Sequence, residues 1–169
     1  MKVDDGTNLF GAEASELAIG AEHTSRGRTI TESDVVAFAS HSGDRHPQHT
    51  DAEWAARGRF GARIAHGMLV LSYAAGLVPF DPDRVVALRK LDSVTFKRPV
   101  LIGETIRVHS RVEHVRSLGE GHSLVVLSWR VLNGRGQVAM RARVEVLWRD
   151  GVERTASEAE DLYAGQVLL

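Results

Sequence analysis

The chain has 169 residues, a length that suits one compact domain with a single core. Hydrophobic residues make up 43% and charged residues 25%, and the formal net charge is −1. The composition therefore has no excess of positive charge that would indicate nucleic-acid binding. The lack of cysteine excludes disulfides, thiolate metal sites and cysteine nucleophiles. The N-terminal segment has no apolar signal-peptide run, and no stretch approaches the ~20 apolar residues of a membrane span, so we expect a cytoplasmic protein.

The polarity of the two ends predicts the domain layout. Residues 1–15 are polar and without period, which predicts a flexible arm. Residues 151–169 are charged and predict a C-terminal tail. Because no repeat or linker divides the chain between them, we expect one domain over residues 16–150.

Two capping signatures predict short helices in the first half. Thr31 and Asp34 have the spacing of a capping box, so we expect a helix over residues 32–40. Thr50 and Glu53 repeat this spacing and predict another short helix.

The second half changes from a helical to a strand pattern. Residues 66–78 are almost all apolar or small, which predicts a helix buried on most sides. Beyond it the hydrophobic period becomes two. The expected strands are a weak one at residues 21–30 and four long ones at residues 85–100, 105–118, 123–132 and 137–148. Helices and strands so segregated indicate an α+β fold, with one helix lying against a curved antiparallel sheet.

Histidine is the residue type best placed to carry chemistry, since the chain has eight histidines and no cysteine. Asp44 and His49 stand five residues apart in a polar loop, where Pro47 disfavours a continuous helix. If the loop folds back, the carboxylate and the imidazole can hold one water, one taking a proton while the other gives one. The alternative is an ordinary Ser-Gly-Asp turn ahead of a helix.

The start of the buried helix offers three more candidates. The N–H of Gly67 has no partner within the helix and can stabilise an enolate-like oxygen, or the missing side chain can simply allow close packing. His66 either acts as an acid or base or orients the loop at the helix start. Ser72 is either a ligand or, as is usual for a helical serine, bonded to a backbone carbonyl one turn earlier.

Other chemistries find less support in the sequence. The histidines lack the spacing of a metal site, so we predict none. Residues 58–61 are too short for a phosphate loop, and the Gly-x-Ser-x-Gly turn of a serine nucleophile does not occur. Four basic residues either meet phosphates or form a solvated face: Lys90, Lys97, Arg98 and Arg107.

Two motifs in sequence order resemble one known family. Residues 42–51 read Ser-Gly-Asp-Arg-His-Pro-Gln-His-Thr-Asp, and residues 64–69 read Ile-Ala-His-Gly-Met-Leu. They resemble the Asp-x-Asn-Pro-x-His and Ala-His-Gly-Met motifs of the MaoC-like (R)-specific enoyl-CoA hydratases and the related (3R)-hydroxyacyl-carrier-protein dehydratases. The likeness extends over residues 29–148 and includes the Phe-Lys-Arg-Pro-Val stretch at residues 96–100.

The resemblance implies a hot-dog fold and a homodimer with its active site near the interface. It also implies reversible hydration of trans-2-enoyl thioesters to (R)-3-hydroxyacyl thioesters of coenzyme A or an acyl-carrier protein, without a cofactor. By this resemblance Asp44 and His49 hold and activate the water. The N–H of Gly67 polarises the thioester carbonyl, and Ser72 supports the site.

One residue departs from the family pattern: His46 stands where asparagine is usual, and we expect it to shape the loop rather than to react. The acyl group is expected to lie among Met68, Leu69, Tyr73, Leu77 and Phe80. Two other functions are compatible with the fold, a non-catalytic acyl-binding or structural subunit and a thioesterase. Retention of both Asp44 and His49 argues against the first, and the pairing of the two motifs argues against the second.

Overall fold

The computed structural model describes residues 9–151. In this range the chain forms two short 3-10 turns, Leu9–Gly11 and Ala14–Glu16, followed by helices and strands in the predicted order. The elements are β1 (Glu22–Thr24), β2 (Arg28–Thr29), α1 (Glu32–Ser42), α2 (Pro47–Thr50), α3 (Ala52–Arg57), α4 (Gly67–Leu77), β3 (Val85–Phe96), β4 (Thr105–Gly119), β5 (His122–Leu132) and β6 (Val138–Arg149). None of these helices is long and apolar enough to cross a bilayer.

The six strands form one antiparallel sheet, which confirms the predicted fold class. The strand order is β1-β4-β5-β6-β3, and β2 also pairs with β4. The predicted period of two holds for the inner face of β6, where Val144 and Val146 are fully buried, and Arg141 on the other face is exposed. Glu145 and Leu147 on that other face are nevertheless buried as well. The weak strand expected over residues 21–30 is instead two short strands, β1 and β2.

Helix α4 packs against the inner face of this sheet and forms the core with it. Its buried side chains include Leu69, Val70 and Ala74, which meet inward residues of the sheet such as Trp129. The prediction that this helix is buried on most sides is confirmed, because all but three of its residues are buried or half-buried. The exception is one exposed stripe with a spacing of four residues: Met68, Ser72 and Gly76.

The N-terminal segment packs more tightly than its polarity predicts. Phe10 is only 1% exposed and meets the ring of Phe80 edge-on at 5.3 Å, and Trp148 Nε1 donates to the carbonyl of Ala12. The predicted flexible arm is therefore wrong for residues 9–15, because one apolar side chain anchors them to the core. The remaining residues 1–8 of the arm, and all but the first residue of the predicted tail, lie outside the described residues.

The capping predictions were right for α1 and wrong for α3. In α1 the Thr31 side chain accepts from the Asp34 N–H, and Asp34 accepts from the Thr31 N–H. The cap of α3 is Asp51, whose carboxylate accepts from the Trp54 N–H at 2.9 Å. Thr50 belongs instead to α2, where its hydroxyl donates to the Arg45 carbonyl. Neighbouring residues that can both cap a helix make this boundary ambiguous in the sequence.

Candidate active site

Asp44 sits on a tight turn directly after α1. Gly43 ends the helix with a φ of +77°, a left-handed conformation that favours glycine. The N–H of Asp44 donates to the Ser42 hydroxyl, and Asp44 Oδ1 accepts from the N–H of His46 at 3.2 Å. The carboxyl side chain stays 53% exposed, with Oδ2 directed towards His49.

His46 caps the short helix α2 and shapes the loop between the two candidate groups. Its Nδ1 accepts from the Gln48 N–H at 3.2 Å, and Pro47 takes the first helical position. Nδ1 occupies the same place along its side chain as the amide oxygen of asparagine, so histidine supplies the acceptor that asparagine would give. The His46 ring packs edge-on against Trp54 at 5.4 Å. These contacts support the loop-shaping interpretation of His46.

His49 turns its Nε2 towards the Asp44 carboxylate. Its side chain is 4% exposed, and Nδ1 lies 2.8 Å from the Ile64 carbonyl oxygen, which can only accept a hydrogen bond. In the neutral ring Nε2 therefore carries the lone pair. Nε2 lies 3.9 Å from Asp44 Oδ2, too far for a direct hydrogen bond and close enough for one oxygen atom to contact both.

The surroundings of His49 favour its neutral form. Burial lowers the pKa of His49 below its ordinary value of 6.5, and the neighbouring His66 and His46 act in the same direction. The hydrogen bond to Ile64 and the charge of Asp44 oppose this pKa shift without reversing it. A buried imidazole with a lowered pKa is suited to accept a proton near neutral pH.

His66 connects the start of α4 to the Asp44 loop. It is 2% exposed, its ring stacks on His49 with centroids 3.8 Å apart, and its Nε2 donates to the Asp44 carbonyl at 2.9 Å. Its other ring nitrogen, Nδ1, is buried and has no hydrogen-bond partner among the described residues. These contacts support the interpretation that His66 orients the loop.

Asp44, His49 and His66 offer three candidate metal-ligand atoms within 4.8 Å of one another. A ring nitrogen binds a metal along its lone pair, in the plane of the imidazole. The planes of His49 and His66 are inclined by only 25° in a stacked pair, so their lone pairs do not converge on one ion. The arrangement suits proton transfer better than metal binding.

One cavity of about 580 Å³ joins these groups to an apolar wall and a basic rim. Asp44, Gln48, His49 and Gly67 form its polar end. The apolar lining includes Phe38, Phe60, Met68, Val70, Phe96 and Met140, and the rim carries Arg59, Lys97 and Arg98.

Of the five residues predicted to line the acyl site, only Met68 does so. Leu69 is buried in the core, and Tyr73 donates its hydroxyl to Asp34 at 2.6 Å. Leu77 and Phe80 also pack against the core rather than the cavity. The site lies at the N-terminal end of α4, so residues further along the helix face elsewhere.

Gly67 and Ser72 were both predicted to belong to the site, and only Gly67 lines the cavity. Gly67 lines the cavity as the first residue of α4, and a Cβ there would lie 2.9 Å from the Phe96 ring. Close packing is therefore real at Gly67, and its N–H remains without a partner in the helix. Ser72 does not line the cavity, because five residues turn ~140° away from Gly67 on a helix. Its hydroxyl donates to the Met68 carbonyl, as the alternative interpretation expected.

Sequence reasoning missed most of the apolar lining of the cavity, and among its other contributors it missed Gln48, Arg59 and Phe96. Gln48 occupies a variable position of the first motif, and its proximity to His49 was the available signal. Arg59 and Phe96 reach the cavity only through tertiary folding. Of the four basic residues singled out above, Lys97 and Arg98 lie at the rim, whereas Lys90 pairs with Asp92 at 3.6 Å.

Comparisons with known proteins identify the family of the chain. The sequence profile of the MaoC like domain matches residues 16–128. The chain is 36% identical over 123 residues to the protein MaoC of Klebsiella aerogenes, a match that covers 69% of this chain and 37% of that protein. It is 33% identical over 113 residues to the (R)-specific enoyl-CoA hydratase of Aeromonas caviae, covering 67% of this chain and 82% of that protein.

Solved structures give the same result. A monoamine oxidase regulatory protein of Archaeoglobus fulgidus superposes with a TM-score of 0.77 at 35% identity, covering 83% of this chain and 96% of that one. A Mycobacterium tuberculosis protein with a double hot-dog fold matches with a TM-score of 0.73 at 19% identity, covering 87% of this chain and 47% of that one, a likeness of fold alone.

The molecule is thus a hot-dog domain in which Asp44 and His49 face each other beside the start of its central helix. The chain belongs to the MaoC-like domain family. It spans between 37% and 64% of the length of the first curated relatives that it matches.

Proposed function

We propose that the protein catalyses reversible hydration of trans-2-enoyl thioesters to (R)-3-hydroxyacyl thioesters. The observation that carries the proposal is the 3.9 Å separation of Asp44 Oδ2 and His49 Nε2 in the wall of one cavity. The hydratase name of the Aeromonas caviae relative supports the same reaction class and the (R) configuration.

Asp44 and His49 divide the work on the water. The Asp44 carboxylate accepts a hydrogen bond from the water and holds it, while His49 Nε2 takes a proton from it. The water oxygen then bonds to the β carbon of the substrate, and the electrons of the double bond move towards the thioester carbonyl. When the carbonyl re-forms, the α carbon receives the proton that His49 took, so one water is added overall.

The N–H of Gly67 stabilises the charge that develops on the thioester oxygen. It is the first amide of α4, it has no acceptor within the helix, and it carries the positive end of the helix dipole. A donor placed at such an oxygen typically contributes about 10²–10³-fold in rate.

The basic rim suits a substrate carried on phosphates. Arg59, Lys97 and Arg98 lie at the same cavity whose polar end holds Asp44 and His49. Coenzyme A and the phosphopantetheine arm of an acyl-carrier protein both end in an acyl thioester and carry phosphate further along. We therefore propose that the rim meets these phosphates while the apolar lining receives the acyl group.

A second copy of the chain is the proposed partner of the exposed face. β3 lies at the edge of the sheet, and its Leu88, Leu91 and Phe96 are 44%, 38% and 49% exposed. Leu91 and Phe96 pair with the buried Val144 and Met140, so they lie on the face that carries α4. A two-fold pairing at β3 covers these residues together with the exposed stripe of α4. Phe96 and Met68 also line the cavity, so in the proposed dimer the site would lie beside the interface.

Analytical ultracentrifugation tests the homodimer. The wild-type protein is expected to sediment as a dimer, and Leu91→Arg as a monomer. Ile19→Arg, at an apolar site that is 62% exposed outside β3 and α4, is the matched control and should stay dimeric. A wild-type monomer at every concentration tested contradicts the proposed pairing.

An activity assay separates the proposed reaction from its alternatives. With trans-2-enoyl-CoA substrates of several chain lengths, we expect loss of the absorbance of the conjugated double bond without thiol release. Thiol release indicates a thioesterase, and tight binding without turnover indicates a structural subunit. Since side chains supply both proton-transfer groups, we propose that no cofactor is needed, and dialysis against a chelator should leave the rate unchanged. A cytoplasmic location stays a prediction.

A further inference from the structure

Gln48 places its side-chain amide against the reactive nitrogen of His49. The amide nitrogen lies 3.1 Å from His49 Nε2. The backbone of Gln48 is held on both sides, because its N–H donates to Nδ1 of His46 and its carbonyl accepts from the N–H of Ile64 at 3.1 Å. The half-buried side chain lines the same cavity as Asp44. Gln48 is therefore a fixed part of the cavity wall.

The direction of the contact follows from the other side of the ring. His49 Nδ1 donates to the Ile64 carbonyl, so Nε2 of the neutral ring can only accept. The NH₂ group of Gln48 must then be the donor. This orientation suits a neutral His49, since a protonated Nε2 would bring two donors together.

We propose that Gln48 is a positioning residue whose amide holds the His49 ring with Nε2 turned towards Asp44 and free of a proton. In the free protein the amide hydrogen occupies the lone pair that a hydrogen of the substrate water takes during turnover. This role rests on the proposed function, because it acts on the base of the hydration step.

The other charged or titratable groups around His49 stay constant when Gln48 is replaced. Asp44 faces Nε2, His66 stacks on the ring from the start of α4, and His46 lies 6.4 Å away at the cap of α2. Arg59, Lys97 and Arg98 lie further out on the same cavity. A change in the pH profile of a Gln48 variant therefore reports the replaced amide.

Two variants of matched size distinguish a hydrogen-bonding role from simple packing. Gln48→Glu has the same shape, but its carboxylate accepts from a protonated Nε2 and stabilises the imidazolium. We expect the acid limb of its kcat profile to move to higher pH, with at least about a tenfold loss at neutral pH. Gln48→Met keeps the volume without a donor, and kcat should fall about three- to tenfold with little change in KM. Glu53→Gln, exposed on α3, is the control for carboxyl–amide exchange and should match the wild type.

A spectroscopic readout tests the contact without relying on turnover. In ¹⁵N NMR the Nε2 resonance of neutral His49 should move in Gln48→Met towards the value of a ring nitrogen without a hydrogen bond. If Gln48→Met fails to fold by circular dichroism, Gln48→Ala, which also lacks the donor, replaces it with the same expected result. An unchanged resonance, or a Gln48→Glu enzyme with the wild-type pH profile, overturns the inference. A moved resonance in a protein that hydrates no enoyl thioester keeps the contact and contradicts the proposed function instead.

Discussion

The two ends of α1 each carry an aspartate, and the two carboxylates have opposite surroundings. Asp34 stands in the first turn and is 11% exposed, whereas Asp44 follows the last turn and is 53% exposed. Asp34 Oδ1 accepts from Arg28 and from the Tyr73 hydroxyl, and its Oδ2 accepts from the Thr31 N–H. Asp44 uses Oδ1 on the His46 N–H and turns Oδ2 towards His49.

The difference distinguishes a carboxylate that holds the fold from one that is able to react. Burial alone would raise the pKa of Asp34, but the hydrogen bonds from Tyr73 and Thr31 and the charge of Arg28 bring it down to about 2. Those contacts leave little capacity for a substrate. Asp44 keeps an exposed oxygen next to a neutral imidazole, in a cavity large enough for an acyl chain. Spare hydrogen-bonding capacity, rather than proximity to charge, distinguishes Asp44, the group that we propose to react, from Asp34.

The largest expected effect is on turnover at the Asp44 end of α1. Asp44→Asn and His49→Ala should each lower kcat/KM for an enoyl thioester by about 10²–10⁴-fold, because each removes a positioned proton-transfer group. The denaturation midpoint of Asp44→Asn should stay close to that of the wild type, because the Asp44 side chain is mostly exposed. Steady-state kinetics and urea unfolding measure both quantities. Wild-type rates in both variants would contradict the proposal that Asp44 and His49 transfer protons.

The opposite pattern is expected at the Asp34 end. Asp34→Asn should lower the free energy of unfolding by about 2 kcal/mol at neutral pH, the equivalent of the lowered pKa, while activity per folded molecule is retained. A carboxylate with a lowered pKa stabilises above its unfolded value of 3.8, and this contribution is lost as the pH falls towards about 2. The stability gap between wild type and variant should therefore narrow over that range in urea titrations. Asp83→Asn, an exposed aspartate, is the control.

A smaller effect is expected on the pH dependence of activity, which reports the neutral imidazole beside Asp44. Burial lowers the pKa of His49, so the base form persists below the ordinary histidine value, and the acid limb of kcat/KM should lie below pH 6.5. Asp44 raises the pKa of His49, so Asp44→Asn should move the limb of its residual activity further down. An acid limb above pH 6.5 in the wild type would mean that another group limits the reaction.

The smallest expected effect concerns the basic rim. Lys97→Gln should raise KM for an acyl-CoA up to about fivefold with kcat unchanged, since exposed ion pairs contribute about 0.2–1 kcal/mol. The wild-type KM should rise with salt and that of the variant less so. Lys90→Gln, which pairs with Asp92 away from the cavity, is the matched control. Equal KM values in all three proteins would mean that Lys97 is a solvated surface residue that does not contact the substrate.

Local signals in the sequence predicted much of the fold and the central pair of the site. The capping box at Thr31 and the buried side of β6 depend on neighbours within a few residues, and each takes the predicted form. The polar loop predicted to carry both Asp44 and His49 is wrong from Pro47 onwards, because Pro47 takes the first position of the short helix α2, which carries His49. Proximity of Asp44 and His49 follows from the same segment, although the sequence alone left a plain turn open as the alternative.

The errors share a tertiary cause. Ser72 and the predicted acyl lining were assigned to α4 without knowing which of its sides the sheet covers, and Phe10 was assigned to an arm because its neighbours are polar. The contributions of Arg59 and Phe96 depend on long-range packing that no local pattern records. Periodicity predicts that a helix has a buried side, but it does not say which residues beside that side reach a cavity.

The most direct test asks whether Asp44 and His49 act on the same water. The measurement is kcat/KM for hydration of a trans-2-enoyl-CoA by Asp44→Asn, His49→Ala and the double variant. Groups that share one proton-transfer step are non-additive, so the double variant should be no slower than the slower single variant within about threefold. Multiplied losses in the double variant would show that the two residues act independently, and would contradict the account.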